Sequence, residues 1–253
     1  MARVLLLLPT ETYRAKDFLA AAERLGVDVV VGSERRQAMA DAMADRAVVV
    51  PLGKVDAAVE VINALHKRLP LDAVLAVDDQ GVAVAAAASA RLGLAHNPVD
   101  AVAATRDKAA LRGRLAAAAV AQPAYRALAP GESVVAAAAQ VGYPCVVKPV
   151  SRSGSQGVIR VDDDAQAVAA VQRVRAIVGA VEPLLVESFV AGAEVAVEGL
   201  LAEGALQVLA VFDKPDPLDG PFFEETIYVT PSRQRAQVQA ALAATVAAAA
   251  AAL

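Results

Sequence analysis

Residues 143–161, YPCVVKPVSRSGSQGVIRV, decide how the chain is read. An apolar run suited to a buried strand ends on Lys148 and Pro149, passes through a loop of small residues containing Gly154 and Gly157, and resumes as a second apolar run. An ammonium group at the rim of a core, beside a Gly/Ser loop, suits polyphosphate: lysine supplies point charge and flexible backbone N–H groups can wrap oxygens. The familiar phosphate loops do not account for it. The sequence has no G-x-x-x-x-G-K-S/T, and no G-x-G-x-x-G follows its first apolar run. Alone, the stretch also suits an ordinary hairpin with a solvated lysine.

Upstream, residues 1 to about 98 alternate compact apolar runs with helical patterns. Arg3 to Leu8, Val27 to Val31, Ala47 to Val50 and Ala73 to Val77 have strand length, and helices are expected over Ala15 to Leu25, Glu34 to Met43, Val55 to Arg68 and Gln80 to Leu92. This rhythm predicts a Rossmann-like parallel α/β domain, whose ligands sit beyond the carboxyl ends of the strands. PTETY after the first strand and Asp78, Asp79 after the fourth fall there. Asn97 is expected as a cap and Pro98 at a helix start.

From Gln122 the texture becomes β-rich, with helices over Ser133 to Val141 and Asp164 to Ile177. AEVAVEGLL and ALQVLAVF, separated by Glu203 and Gly204, read as an antiparallel hairpin. FFEETIYV reads as a further strand and Ser232 as the cap of a final helix.

The 253 residues allow two domains, and the 57% hydrophobic content is inflated by alanine runs, with only 4% aromatics. A net charge of -4 argues against a nucleic-acid surface. The single cysteine, Cys145, excludes an internal disulfide and suits a reducing cytoplasm; inside an apolar strand it reads as core. No stretch reads as a membrane span or a signal peptide. His66, His96 and the aspartates Asp162 to Asp164 read as surface and helix-cap residues.

Lys108 opens a helix about forty residues before Lys148, and LLVESFV ends a strand about forty residues after it. RDKAALR, YPCVVKPVSRSGSQGV, LLVESFVAGAEVAVEGLL and FFEETIYVTPS together resemble the ATP-grasp superfamily. That group includes biotin carboxylase, carbamoyl-phosphate synthetase, D-alanine:D-alanine ligase and the L-amino-acid ligases. The resemblance implies a pre-ATP-grasp α/β domain over 1–98, then an ATP-grasp domain over 99–253 built of two α+β subdomains. The lid subdomain would span about 122–188, and the C-terminal one, 189–253, would be incomplete.

By that resemblance, Lys108 and Lys148 hold ATP phosphates, and the loop Ser151, Ser153, Gly154, Ser155, Gly157 closes over them. Glu187, Ser188, Phe189 and Val190 match the hinge whose backbone reads adenine, and Glu194 matches the acidic residue that accepts from the ribose hydroxyls. Alternation along VESFVAGAEVAVEG would also put Glu187 and Glu194 on a solvated strand face.

Lys214, Glu224 and Glu225 resemble the lysine and acidic positions of the L-amino-acid-ligase branch. Lys214 and Glu225 are the catalytic candidates, although a plain salt bridge would also account for Glu225. Ile227 and Tyr228 replace a Gly-His pair of that branch, and Tyr228 joins Asp78 and Asp79 as a substrate candidate.

The implied activity is an ADP-forming ligation of a carboxylate to an amine through an acyl phosphate. The alternatives are a bicarbonate-activating enzyme of the carbamoyl-phosphate synthetase or biotin carboxylase kind, and a non-catalytic nucleotide-binding module. Family Mg2+ ligands are expected on strands after residue 253, with none in this chain. Small carboxylate and amine substrates are the expected partners, without nucleic acid or membrane, and exposed apolar faces make a homodimer a prospect.

Overall fold

The computed structural model describes residues 1–35, 46–224 and 226–253, which form two compact units, Met1–Ala103 and Ala104–Leu253. In the first unit β1 (Arg3–Leu7), α1 (Ala15–Leu25), β2 (Asp28–Ser33), β3 (Ala47–Val49), α2 (Val55–Arg68), β4 (Ala73–Ala76) and α3 (Val82–Leu92) follow in order. The strands make a parallel sheet in the order β3-β2-β1-β4, with Leu5 opposite both Val30 and Val74. Leu5 and Leu7 enter one core with Ile62 and Leu65 of α2 and Val84 of α3. Leu6 and Leu8 enter another with Phe18 of α1 packed against it. Period-two alternation with both faces covered explains why β1 is apolar throughout.

The helix expected over Glu34 to Met43 falls largely outside the described residues. The one expected over Gln80 to Leu92 starts as a 3-10 turn, Asp79–Gly81, before α3. His66 Nδ1 accepts the Leu71 N–H at 3.1 Å, and His96 Nδ1 lies 2.9 Å from the Leu94 carbonyl oxygen, so both histidines have local structural partners.

Helix α4 (Val99–Arg106) spans the boundary between the units. Its Val102 N–H donates to Pro98 O at 3.0 Å, which puts Pro98 rather than Asn97 at the cap position. The second unit continues with α5 (Lys108–Ala117), β5 (Tyr125–Leu128), α6 (Val134–Val141), β6 (Cys145–Pro149), β7 (Ile159–Val161), α7 (Asp164–Val178) and β8 (Leu184–Ser188). β9 (Glu194–Ala202), β10 (Ala205–Lys214) and α8 (Ala236–Ala251) complete it. An antiparallel sheet runs β5-β8-β6-β7, and α6 and α7 bury Val134, Ala138, Ala170 and Val174 with Val147 and Val186. Cys145 belongs to this core, and burial pushes its thiol up to about 11, as befits an inert residue. The Asp163 carboxylate accepts the Gln166 N–H at 2.8 Å and caps α7. β9 and β10 form the expected hairpin as a separate two-stranded sheet, with Leu200, Leu201 and Leu209 exposed.

Two expectations fail here. FFEETIYV is not a strand: its described residues make only two isolated bridges, Ile159 with Phe222 and Asp213 with Val229. The segment is instead tied by side chains, since Asp216 Oδ2 accepts both the N–H (2.9 Å) and the hydroxyl (2.8 Å) of Thr226. Ser232 does not cap the last helix, whose cap position is Arg235; its hydroxyl donates to Asp213 Oδ1 at 2.6 Å. Among the described residues, no helix is long and apolar enough to cross a membrane.

Gly220 anchors the 219–223 segment on β7. Its φ is +89°, and a Cβ there would lie 2.8 Å from the Cβ of Arg160. Gly220→Ala is expected to destabilise by about 1–2 kcal/mol, roughly 2–8 °C of thermal midpoint. Scanning calorimetry checks this, and an unchanged midpoint contradicts it.

Candidate functional site

The carboxyl end of β6, the 151–157 loop and the end of β8 converge within the second unit on a cavity of about 460 Å3. Lys148, Ser155, Glu187, Ser188, Phe189, Val190 and Glu194 all line it, with Arg112, Val146, Leu218 and Phe223. β8 lies between β5 and β6, and its successive residues Leu184 to Glu187 are buried on both faces of the sheet, Glu187 only 4% exposed. This corrects the solvated face that alternation allowed for Glu187.

The Glu187 carboxylate is held by two cations. Arg112 donates from Nε to Oε1 at 2.6 Å and from Nη2 to Oε2 at 3.2 Å, and Lys148 Nζ donates to Oε2 at 2.5 Å. Burial alone would raise its pKa, but the Arg112 hydrogen bond and the charge and hydrogen bond of Lys148 outweigh it and hold the carboxyl below its usual range. Arg112 escaped the sequence reading. The available signal was its place one turn after Lys108 in DKAALR, which puts both on one helix face.

Asp107 caps α5 by accepting the Ala109 and Ala110 N–H groups at 2.8 and 3.0 Å. Lys108 is thereby fixed at the first helical position; its N–H donates to Val150 O at 3.0 Å and its ammonium to the Arg152 carbonyl. Burial, then the charges of Lys148 and Arg106, push the Lys108 pKa below its usual value. Two ammonium groups in electrostatic reach of each other make a site that an anion would relieve.

In the loop, the Ser151 hydroxyl donates to Glu182 Oε1 at 2.5 Å. Gly154, Ser155 and Gly157 have φ of 62°, 56° and 75°. At Gly157 the chain passes so near Pro149 that a Cβ would lie 3.3 Å from its Cδ. Ser153 O accepts from Gln156 N at 3.4 Å. Along the hinge, the Ser188 N–H donates to Ala124 O at 2.9 Å and the Phe189 N–H to Pro144 O at 3.0 Å. Val190 follows, 67% exposed, and among the described residues no backbone acceptor takes its N–H. The Arg160 guanidinium lies 4.4 Å from the centre of the Phe189 ring, a cation–π contact that ties β7 to the hinge.

Glu194 is exposed and pairs with Lys214, whose ammonium also lies 5.5 Å from the Tyr228 ring centre. A second cavity of about 730 Å3 adjoins the loop, lined by Gly154, Ser155, Arg173, Phe222, Glu224 and Tyr228 among others. Glu225 lies outside the described residues. Asp78 and Asp79 belong to the first unit, beyond β4, where Asp78 Oδ1 is 3.9 Å from Arg14 Nη1. Among the described residues, no group of three or more His, Cys, Asp and Glu side chains is placed to hold a metal ion.

A sequence profile described as an ATP-grasp domain matches residues 141–253, and one described as an ATP-grasp N-terminal domain matches residues 19–96. The formate-dependent phosphoribosylglycinamide formyltransferase of Burkholderia thailandensis is 31% identical over 157 residues, which are 60% of this chain and 38% of that protein. The alanine–anticapsin ligase of Bacillus amyloliquefaciens is 26% identical over 195 residues, 69% of this chain and 41% of that protein. The crystal structure of an L-amino acid ligase from Bacillus licheniformis matches 100% of this chain and 60% of its own, with a TM-score of 0.79 at 25% identity. The chain thus spans 38% and 41% of the length of those two relatives.

Proposed function

Because the chain belongs to the ATP-grasp superfamily, we propose that its second unit binds ATP in the 460 Å3 cavity. The observation that carries this reading is the convergence of Lys148, the 151–157 loop and the hinge on one cavity, with Lys108 beside them. Adenine lies against Val146 and the hinge, and its ring nitrogen accepts from the Val190 N–H, which has no backbone partner among the described residues. The triphosphate runs toward Lys148, Lys108 and the loop N–H groups, and Glu194 accepts from the ribose.

We further propose ADP-forming ligation of a carboxylate to an amine. A carboxylate oxygen takes the terminal phosphoryl group of ATP and ADP leaves. The amine then attacks the acyl carbon, loses a proton, and inorganic phosphate departs. Within this chain, Lys108 and Lys148 stabilise charge on the transferring phosphoryl group, and the loop excludes water from the acyl phosphate. Lys214, Glu225 and Tyr228 are the proposed substrate-side residues of the second unit, and Asp78 and Asp79 those of the first. The L-amino acid ligase likeness supports this branch over the bicarbonate-activating one.

An ADP-release screen with paired amino acids tests the ligation. Release that requires both a carboxylate and an amine donor supports it. Release driven by bicarbonate moves the protein to the other branch, and ATP binding without release under any pairing leaves a nucleotide-binding module.

The depressed Lys108 pKa adds a pH test. Only the ammonium form attracts phosphate, and a bound anion raises its pKa. ATP affinity is therefore expected to fall as pH rises through the lowered Lys108 pKa of the free protein, with proton uptake on binding in that window. Calorimetry in buffers of different ionisation enthalpy reads the uptake; none there, with pH-independent affinity, contradicts the role of Lys108.

A further inference from the structure

We propose that Arg112 is a positioning residue that frees Lys148: its guanidinium holds the Glu187 carboxylate, so the Lys148 ammonium can leave that carboxylate for a nucleotide phosphate. The inference rests on the ATP reading above. A buried carboxylate with one cation retains it, because separation leaves an uncompensated charge. Here the carboxylate has two, and they differ in kind. Arg112 is a planar fork bound through both Nε and Nη2, whereas Lys148 makes a single contact from the end of a flexible stem.

Arg112 is also fixed from behind. The Gln122 side-chain amide donates to Arg112 O at 2.9 Å, and Arg112 Nη1 donates to Gln122 Oε1 at 3.5 Å. When Lys148 turns away, Glu187 therefore stays paired. The same helix that presents Lys108 to the phosphates thus releases the second lysine. Without Arg112, Glu187 and Lys148 form a closed pair and the ammonium is withheld.

The test titrates ATP and adenosine calorimetrically onto the wild-type chain, Arg112→Met, Arg112→Lys, and the double variant Arg112→Met with Glu187→Gln. A charge-assisted contact withheld from phosphate corresponds to about tenfold or more. Arg112→Met is expected to weaken ATP by about that factor while leaving adenosine within about threefold. The double variant is expected to return ATP to within about threefold of wild type, because a neutral Gln releases Lys148. A merely structural Arg112 would weaken both ligands alike, and the second substitution would not relieve it.

If thermal melting shows Arg112→Met unfolded, Arg112→Lys decides. An ammonium cannot reproduce the fork, so ATP should weaken about threefold or more with adenosine unchanged; equal ATP affinity overturns the proposal. Wild-type protein that binds no ATP overturns the cavity reading itself. Wild-type binding with Arg112→Met unaffected, or with the double variant no better than the single, overturns only the role of Arg112.

Discussion

Lys148→Ala is expected to weaken ATP binding about thirtyfold or more while leaving the protein folded. The ammonium lines the cavity, and hydrogen bonds from a charged donor contribute about 1.5–3 kcal/mol, the upper end of which exceeds a hundredfold in affinity. Folding survives because Arg112 still holds both oxygens of Glu187, so no buried carboxylate is stranded. Titration calorimetry with ATP, alongside a thermal melt, reads both parts. An affinity within threefold of wild type would mean that Lys148 faces no phosphate.

Glu187→Gln is expected to do the opposite, with a large loss of stability and retained ATP binding. It leaves Arg112 and Lys148, with side chains only 19% and 15% exposed, beside each other without their shared counter-charge. Removing one member of a buried ion pair costs about 3–5 kcal/mol, or roughly 6–20 °C of midpoint in a protein of this size. The phosphates of ATP supply the missing negative charge, so ATP should raise the midpoint of this variant more than that of wild type.

The pH dependence has a definite sign. The folded Glu187 carboxyl titrates below its ordinary value, so its contribution is complete above the unfolded value of about 4.3 and is lost as pH falls through the lowered folded value. The stability gap between wild type and variant should therefore be flat near neutrality and narrow as pH falls below about 4.3. A gap that closes on the alkaline side instead would contradict the assignment of charge in the triad.

The sequence carried the elements whose signals are local. The apolar runs of β1, β2 and β4, the Gly/Ser loop after Lys148 and the helix that Lys108 opens are each read within a few residues, and the structure has them. The meeting of Lys148, Ser155 and the 187–190 hinge on one cavity was legible only through the family pattern, since those residues lie far apart in the chain. The sequence left the Glu187 side chain open between the site and a solvated face for a tertiary reason: strand alternation tells inside from outside only when one face of a sheet is solvated, and β8 is covered on both.

Arg112 is 75 positions from its carboxylate partner, so nothing in either local stretch announced the pair. FFEETIYV has the composition of a strand. However, the edge beside it is β7, only three residues long, and one bridge is all it offers. Thr226 is held by Asp216 and Ser232 by Asp213 in the same way, by side-chain contacts that composition does not encode.

Amide hydrogen exchange of the chain with and without ATP reads where the nucleotide sits rather than whether it binds. ATP is expected to slow exchange across the 151–158 loop and the 186–190 hinge, the Val190 amide included. Slowing confined to the carboxyl ends of β1 and β4, or no change at the loop and hinge with ATP demonstrably bound, would contradict it.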